Sequence, residues 1–210
     1  MIKSVCEICK SNLFKKIKYK NALKHDLFSK REIHNCLNCG FGKIFPKVSD
    51  SDLNYYYENI YRSKNSPMYI DFDNLILNKQ IVDYRSLSQF HLGHQFLNSK
   101  NNYNFLDIGP GYGTSFLTAV QYFNKIKLHA IENNAKAINF YKRTFKDIKI
   151  FKNLEDIDYS IDIILMSHSL EHFDIKELTS LFKKLYDVLS KDGILIIEIP
   201  HENHLDKLYK

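Results

Sequence analysis

The sequence lacks the long apolar run that a membrane-spanning helix requires. None of its apolar stretches approaches the roughly 18 consecutive residues needed to cross a bilayer, and residues 1–6 contain no hydrophobic region of the kind found in signal peptides. These absences argue against a membrane span and against secretion. We therefore expect a soluble, cytoplasmic protein.

Cysteine is absent after residue 39. The four cysteines form two CxxC pairs separated by 26 residues, namely Cys6, Cys9, Cys36 and Cys39. Two such pairs can place four thiolates tetrahedrally around one zinc ion. A redox CxxC would need a thioredoxin-like context, which is missing, and a cytoplasmic chain would not keep disulfides. The sequence thus predicts a zinc-binding module over residues 1–45, with a closed, structural metal site.

Basic residues are concentrated at the N-terminal end. Residues 1–50 carry a net charge of +7, whereas the remaining residues sum to −1. Such an excess could attract nucleic acid, a nucleotide sugar or another anionic partner, or it could form a solvated face. The two histidines of this segment, His25 and His34, are expected at the surface.

Residues 46–100 are predicted to be a connector and a helical cover. Ser49 followed by Asp52 is typical of a helix start, and the tyrosines that follow are expected to pack rather than to line a pocket. Residues 75–97 show apolar side chains at roughly the helical period. One or two helices are therefore expected there.

The stretch from Asn104 to Thr114 joins an apolar run to three glycines at alternate positions, Gly109, Gly111 and Gly113. It predicts a strand ending near Asp107 and then a turn that approaches a ligand closely. The dinucleotide fingerprint GxGxxG needs a glycine at position 114, which is threonine, and this argues against a nicotinamide dinucleotide. Glu132 follows the next predicted strand about twenty residues later, where a carboxylate can accept from ribose hydroxyls. An adenosine-containing ligand is therefore favoured.

Strands and helices alternate from here onward. The predicted strands cover residues 104–108, 127–132, 148–151, 161–166 and 194–199, and residues 191–193 are expected to end the helix before the last strand. This alternation predicts an α/β fold with a doubly wound, mostly parallel sheet and a ligand site at the carboxyl ends of the strands. Asn153, in the loop after the third of these strands, is expected to meet an adenine edge.

These motifs carry a family resemblance. The segment from Phe105 to Gly113, the acidic Glu132, and the pattern Ser-Leu-Glu-His-Phe resemble class I S-adenosylmethionine-dependent methyltransferases with a Rossmann-like sheet. The double CxxC module with its tyrosine-rich connector is similar to the N-terminal zinc domain of sugar C-methyltransferases. The resemblance implies a methyltransferase core over residues 101–210 that acts on a small-molecule acceptor such as a nucleotide sugar or a polysaccharide precursor.

The resemblance also implies roles for individual residues. The three glycines would bring the backbone against the methionine part of the cofactor, Asp107 would hold its amino group, and Glu132 would bind the ribose. The predicted cofactor contacts are these five residues and two loop residues: Asp107, Gly109, Gly111, Gly113, Glu132, Asn153 and Ser167. His168 and His172, which follow the fourth strand of the sheet, are the candidates for a general base.

One departure leaves other functions open. The family continues after the fifth strand with a helix and an antiparallel strand pair, whereas this sequence stops at Lys210. The C-terminal strands are therefore expected to be missing, or to be supplied by a partner that completes the sheet. A truncated, non-catalytic protein that binds cofactor or a partner is one alternative. Nucleic-acid methylation is disfavoured because no Asp-Pro-Pro-Tyr or Asn-Pro-Pro-Tyr motif follows the fourth strand.

Overall fold

The computed structural model describes residues 5–18, 26–29, 31–61, 63–66, 69–74 and 83–200. These residues form two compact units, one up to Ile70 and the other from Asp71 onward. The predicted division into segments 1–45, 46–100 and 101–210 stays a prediction. Among the described residues, no helix has the length and apolarity to span a membrane.

The first unit is built on a three-stranded antiparallel sheet in the order β1-β2-β3. Its strands are β1 (Phe14–Lys18), β2 (Glu32–Cys36) and β3 (Gly42–Phe45), and a short helix, α1 (Asp26–Ser29), lies between the first two. Ile17 pairs with Ile33, and Ile33 pairs with Ile44, so an apolar row crosses the sheet. The sequence does not reveal these strands because they are only four or five residues long and show little alternation of apolar and polar side chains.

His34 is the clearest correction in this unit. It was expected at the surface, but its side chain is only 2% exposed. The ring stacks on Phe45 at a centroid distance of 4.6 Å, and Nε2 lies 3.2 Å from Glu32 Oε2. The burial follows from its central position in β2, which has a neighbouring strand on each side. His25 lies outside the described residues.

Helix α2 (Asp50–Asn59) begins where the sequence predicts. The hydroxyl of Ser49 accepts a hydrogen bond of 3.1 Å from the backbone N–H of Asp52, as an N-cap serine does. The predicted packing role of the tyrosines is confirmed for Tyr56, which is buried and meets Phe28 edge-on at 5.2 Å. Tyr55, by contrast, is 62% exposed.

The second unit contains the predicted parallel sheet, and the predicted α/β fold class is confirmed. Five strands lie in the order β6-β5-β4-β7-β8, and their bounds are β4 Tyr103–Ile108, β5 Ile126–Ile131, β6 Lys149–Phe151, β7 Ile161–Ser167 and β8 Leu189–Glu198. The helices are α3 Tyr84–His94, α4 Thr114–Tyr122, α5 Ala135–Thr144 and α6 Ile175–Val188. Of the predicted cover helix, residues 75–82 lie outside the described part of the chain.

The core lies on both faces of the central strands. Phe105 meets Phe90 of α3 and Phe116 of α4 edge-on, at 5.2 and 5.8 Å, while its neighbour Leu106 joins an apolar cluster that includes Leu185 of α6. Successive residues of a strand point to opposite faces, so two adjacent positions anchor two layers of helices. This double burial explains why β7 is apolar almost throughout.

The transition from α6 to β8 differs from the prediction. Residues 191–193 were expected to end the helix, but α6 ends at Val188 and β8 already begins at Leu189. A shift in register opposite Ile161 and Ile163 accommodates the extra residues. A Cβ on Gly193 would lie 3.0 Å from the carbonyl oxygen of Ile161, so the glycine permits a close backbone approach inside a strand.

We predict that the buried His129 makes the fold sensitive to acid. Its ring is 2% exposed, Nδ1 lies 3.1 Å from the Tyr159 hydroxyl, and burial, with help from Lys149 and Lys127, lowers the pKa to about 4. The unfolded chain takes up this proton near pH 6.5. Unfolding is therefore favoured as pH falls from about 6.5 to about 4, by roughly 2–3 kcal/mol.

Denaturant unfolding across this pH range measures the effect. His129→Leu should remove most of this pH-dependent loss, whereas the exposed His91→Leu should keep the wild-type dependence. An unchanged pH dependence in His129→Leu would show that His129 is not the responsible group.

Candidate functional site

The carboxyl ends of the five parallel strands meet at one edge of the sheet. Ile108 at the end of β4 pairs with Ile131 at the end of β5, and Ile131 pairs with Phe151 at the end of β6. On the other side, Ser167 at the end of β7 pairs with Glu198 at the end of β8. The residues that follow these strands therefore line the edge where ligands bind in this class of fold.

The glycine turn after β4 has the backbone conformation that the sequence suggests. Gly109, Gly111 and Gly113 have φ angles of 77°, 60° and 71°, a region that other residues seldom occupy. The Gly109 N–H donates to the carbonyl of Ile131 at 3.0 Å, which ties the turn to β5. The hydroxyl of Tyr141 on α5 donates to the carbonyl of Gly111 at 2.5 Å. The turn is thus held by both β5 and α5.

Asp107 is a buried carboxylate beside this turn. It is 3% exposed, and the hydroxyl of Ser115 on α4 donates to its Oδ2 at 2.5 Å. Burial raises the pKa of Asp107 to about 7; the Ser115 hydrogen bond opposes this rise, and the charge of Glu132 adds to it. A carboxyl group held this way gains from a cation nearby.

The next two predicted contacts follow β5 and β6. Glu132 Oε1 accepts hydrogen bonds from the backbone N–H groups of Asn133 and Asn134, both at 2.9 Å, so its carboxylate has a fixed orientation. Asn153 is exposed, and its own N–H donates to Asp156 Oδ2 at 3.0 Å. Both residues lie on the ligand-binding edge, on the same side of β4.

On the other side of β4, Ser167 is the last residue of β7 and His168 follows it. Ser167 Oγ accepts a hydrogen bond of 3.0 Å from Gln89 Nε2 of α3. His168 Nε2 lies 3.3 Å from Glu198 Oε1, and Nδ1 lies 3.7 Å from Glu171 Oε1. The structure thus gives His168 two acidic neighbours. His172, the other candidate base, lies exposed in a 3₁₀ turn over Leu170–His172.

Two residues of this edge were missed by the sequence analysis. Glu198 closes β8 and contacts both His168 and α3, and the only signal for it was a carboxylate at the end of a strand. Ser169 is 8% exposed, and its hydroxyl has no hydrogen-bond partner among the described residues. Its Cβ lies 3.4 Å from the place where a Cβ on Gly109 would stand. A buried, unpaired hydroxyl next to the glycine turn is the kind of group that a ligand satisfies.

The first unit gathers the four cysteines. Their Sγ atoms all lie within 4.8 Å of one another, with Cys6 to Cys39 at 3.6 Å and Cys9 to Cys36 at 3.5 Å. Four thiolates at about 2.3 Å from one tetrahedral zinc ion would be separated by roughly 3.8 Å. The cluster therefore fits a zinc ion, and none of the four forms a disulfide.

The two CxxC segments have matching turns. The N–H of Lys10 donates to the carbonyl of Cys6, as that of Gly40 does to the carbonyl of Cys36, and Lys10 and Gly40 both have positive φ. Hydrogen bonds from the Asn38 side chain and then from the Ser11 N–H lower the pKa of Cys9 to about 6. Such donors stabilise the thiolate form, which is the form that binds metal.

A comparison with known proteins decides the family of the second unit. Residues 82–210 match a family model described as a methyltransferase domain. The chain belongs to this family. The predicted methyltransferase family is thereby confirmed, whereas the similarity to sugar C-methyltransferases stays a prediction. A search of the curated proteins found no match.

Solved structures agree with this assignment. The plantazolicin methyltransferase BamL, in complex with a triazolic desmethylPZN analog and SAH, is 26% identical with a TM-score of 0.50, and the match covers 59% of this chain and 48% of that one. The plantazolicin methyltransferase BpumL, with a pentazolic desmethylPZN analog and SAH, shares the fold at 16% identity and a TM-score of 0.50, over 74% and 54% of the two chains. The chain thus spans about half the length of these two structures.

We predict that Gly113 tolerates replacement by alanine less well than Gly109 does. At Gly113 a Cβ would meet ring atoms of Phe145, Phe116 and Tyr141 at 3.1 to 3.3 Å, whereas at Gly109 its nearest neighbour would lie at an ordinary 3.4 Å. Both substitutions by alanine should cost about 1–2 kcal/mol for the left-handed backbone. Gly113→Ala should cost roughly 1 kcal/mol more because the rings must move. Denaturant unfolding measures both, and equal losses would contradict the packing argument.

Proposed function

We propose that the second unit transfers a methyl group from S-adenosylmethionine to a small-molecule acceptor. The observation that carries the proposal is the buried Asp107 beside a turn of three left-handed glycines, at the carboxyl edge of a methyltransferase-family sheet. A cationic partner would stabilise the ionised form of this buried carboxyl group, and the amino group of the cofactor is such a partner.

The residues at the edge fit the rest of the cofactor as well. The glycines let the backbone approach the methionine part, and the unpaired hydroxyl of Ser169 offers a further hydrogen bond there. Glu132, whose carboxylate is held by two backbone amides, is placed to accept from ribose hydroxyls. Asn153 in the next loop would face the adenine, and Ser167 would complete the contacts on the other side of β4.

In the proposed reaction the cofactor supplies the methyl group, and the protein positions the acceptor and removes its proton. S-adenosylmethionine supplies a methyl group on a sulfonium, whose C–S bond breaks as the sulfur keeps the electron pair. The chain must hold the acceptor nucleophile in line at about 3 Å from that methyl carbon. His168, at the end of β7, would take the proton that a hydroxyl or an activated carbon loses as its new bond to carbon forms. His172 remains the second candidate for this base.

The acceptor class rests on two supports. The complex of BamL with SAH and a desmethylPZN analog, at 26% identity, favours a small-molecule acceptor. The cysteine module, which resembles that of sugar C-methyltransferases, points to a nucleotide sugar or a polysaccharide precursor. Screening such compounds for release of S-adenosylhomocysteine tests this. Turnover of one of them would support the proposal, while cofactor binding without turnover of any would favour the non-catalytic alternative.

We also propose that the four cysteines bind one structural zinc ion. The support is the fit of their sulfur positions to a tetrahedral site and the pair of matching turns around it. Four thiolates leave no coordination position open, so the metal would stabilise the first unit and take no part in methyl transfer.

Cofactor affinity should depend on the ionisation of Asp107. Because its pKa is raised to about 7, the carboxyl must lose a proton to bind a cation, and the affinity for S-adenosylmethionine should rise with pH up to about 7 and then level off. Below that value it should fall by up to tenfold per pH unit. Titration calorimetry between pH 5.5 and 8.5 measures this.

Asp107→Asn should bind at least tenfold more weakly at pH 8 and lose the pH dependence. The matched control is Asp187→Asn, which removes an exposed carboxylate on α6 and should behave as the wild type. Equal affinity of Asp107→Asn and wild type across the range would remove Asp107 from the site.

Purified protein should contain one zinc ion per chain, measured by elemental analysis. Cys39→Ser removes a ligand and should abolish stoichiometric zinc, whereas Leu37→Ala, which trims an exposed side chain between Cys36 and Cys39, should retain the metal. Chelation should also lower the melting temperature of the first unit, since metal binding contributes to folding. A wild-type protein that melts identically with and without the metal would refute the structural role.

A further inference from the structure

His168 has an unusual backbone conformation for a residue with a side chain. Its φ angle is 54°, in the left-handed region that few residues other than glycine adopt. Its N–H donates to the carbonyl oxygen of Glu198 at 2.8 Å. The end of β8 therefore holds the turn that contains His168. Left-handed backbone conformations of non-glycine residues persist where the surrounding structure enforces them.

The same glutamate contacts the imidazole ring. Glu198 Oε1 lies 3.3 Å from Nε2, within hydrogen-bond distance, while the nearest oxygen of Glu171 lies 3.7 Å from Nδ1, outside it. An ionised carboxylate only accepts hydrogen bonds, so the proton of a neutral imidazole belongs on Nε2. This leaves the lone pair of Nδ1 available to accept a proton.

Residues of helix α3 contact the side chain of Glu198. Gln89 Nε2 donates to Glu198 Oε2 and also to Ser167 Oγ, and Arg85 Nε lies 3.5 Å from Glu198 Oε1. Gln89 is 7% exposed and so has little freedom to turn away. Two side chains of α3 therefore hold the carboxylate, and the bond from Gln89 to Ser167 ties this contact to the end of β7.

We propose that Glu198 is the positioning residue for His168, holding the ring with its proton on Nε2 and its lone pair on Nδ1. The catalytic meaning of this arrangement rests on the proposed methyl transfer, in which Nδ1 receives the acceptor proton. The geometry itself does not rest on it. Glu198 is thus assigned to orient the base rather than to touch the acceptor or the cofactor.

The tautomer of His168 can be measured without any ligand, by long-range ¹H–¹⁵N NMR correlation on the full chain near pH 8. In the wild type the ring should carry its proton almost wholly on Nε2. In Glu198→Ala the ratio of the Nδ1–H to the Nε2–H form should rise roughly fivefold, because a hydrogen bond to a charged group is lost. Glu198→Gln keeps the side-chain volume and, as a weaker acceptor, should move the ratio in the same direction.

Glu171→Ala is the matched control, since it removes the carboxylate near the other ring nitrogen and should not raise the Nδ1–H fraction. An unchanged ratio in both folded Glu198 variants, or an equal rise in Glu171→Ala, would overturn the proposal. With an acceptor found by screening, Glu198→Ala should lower kcat about tenfold or more and leave S-adenosylhomocysteine affinity unchanged. Failure of cofactor binding in the wild type would instead count against the proposed function, because the tautomer measurement does not depend on it.

Discussion

The burial of the Asp107 carboxylate at the end of the central strand constrains the whole ligand-binding edge. A charged group in this position is costly, and a single hydroxyl, that of Ser115, compensates for only part of the cost. The glycine turn follows directly, and hydrogen bonds to β5 and from Tyr141 hold it beside the carboxyl group. The edge is therefore organised around a buried carboxyl group whose ionised form a cation would stabilise.

The two sides of the central strand have different chemistry. On the side of β5 and β6, the fixed Glu132 and the loop with Asn153 offer acceptors suited to a nucleoside. On the side of β7 and β8, Ser167, His168 and Glu198 form a network that reaches α3. This separation suits the proposed methyl transfer, in which the cofactor and the proton acceptor would lie on either side of the reacting methyl group.

The sequence predicted the second unit well because its signals are local. Strand β7 is apolar almost throughout, the glycines mark a turn, and Asp107 and Glu132 stand near strand ends, so each could be placed without knowledge of the fold. Network partners such as Gln89 and Glu198 are 109 positions apart and meet only through the crossing of α3 over the sheet. No local pattern marks them.

The first unit shows the opposite case. The spacing of its cysteines predicted a cluster, which the structure brings together, but the antiparallel strands around it are short and have little apolar periodicity. His34 was misplaced for the same reason, since its burial depends on neighbouring strands and not on its own sequence context. The transition into β8 was misread because Lys191 and Gly193 resemble a helix end, whereas packing against Ile161 extends the strand.

We propose that the turn after β4 and the end of β5 bind S-adenosylmethionine. Mapping by NMR is the most direct test, with S-adenosylhomocysteine titrated into ¹⁵N-labelled protein. Saturable shifts of the amides of Gly109, Gly111, Gly113 and Glu132 are expected, with little change in β1–β3. Saturable binding that leaves these four amides unperturbed, or no binding at millimolar ligand, would contradict this proposal.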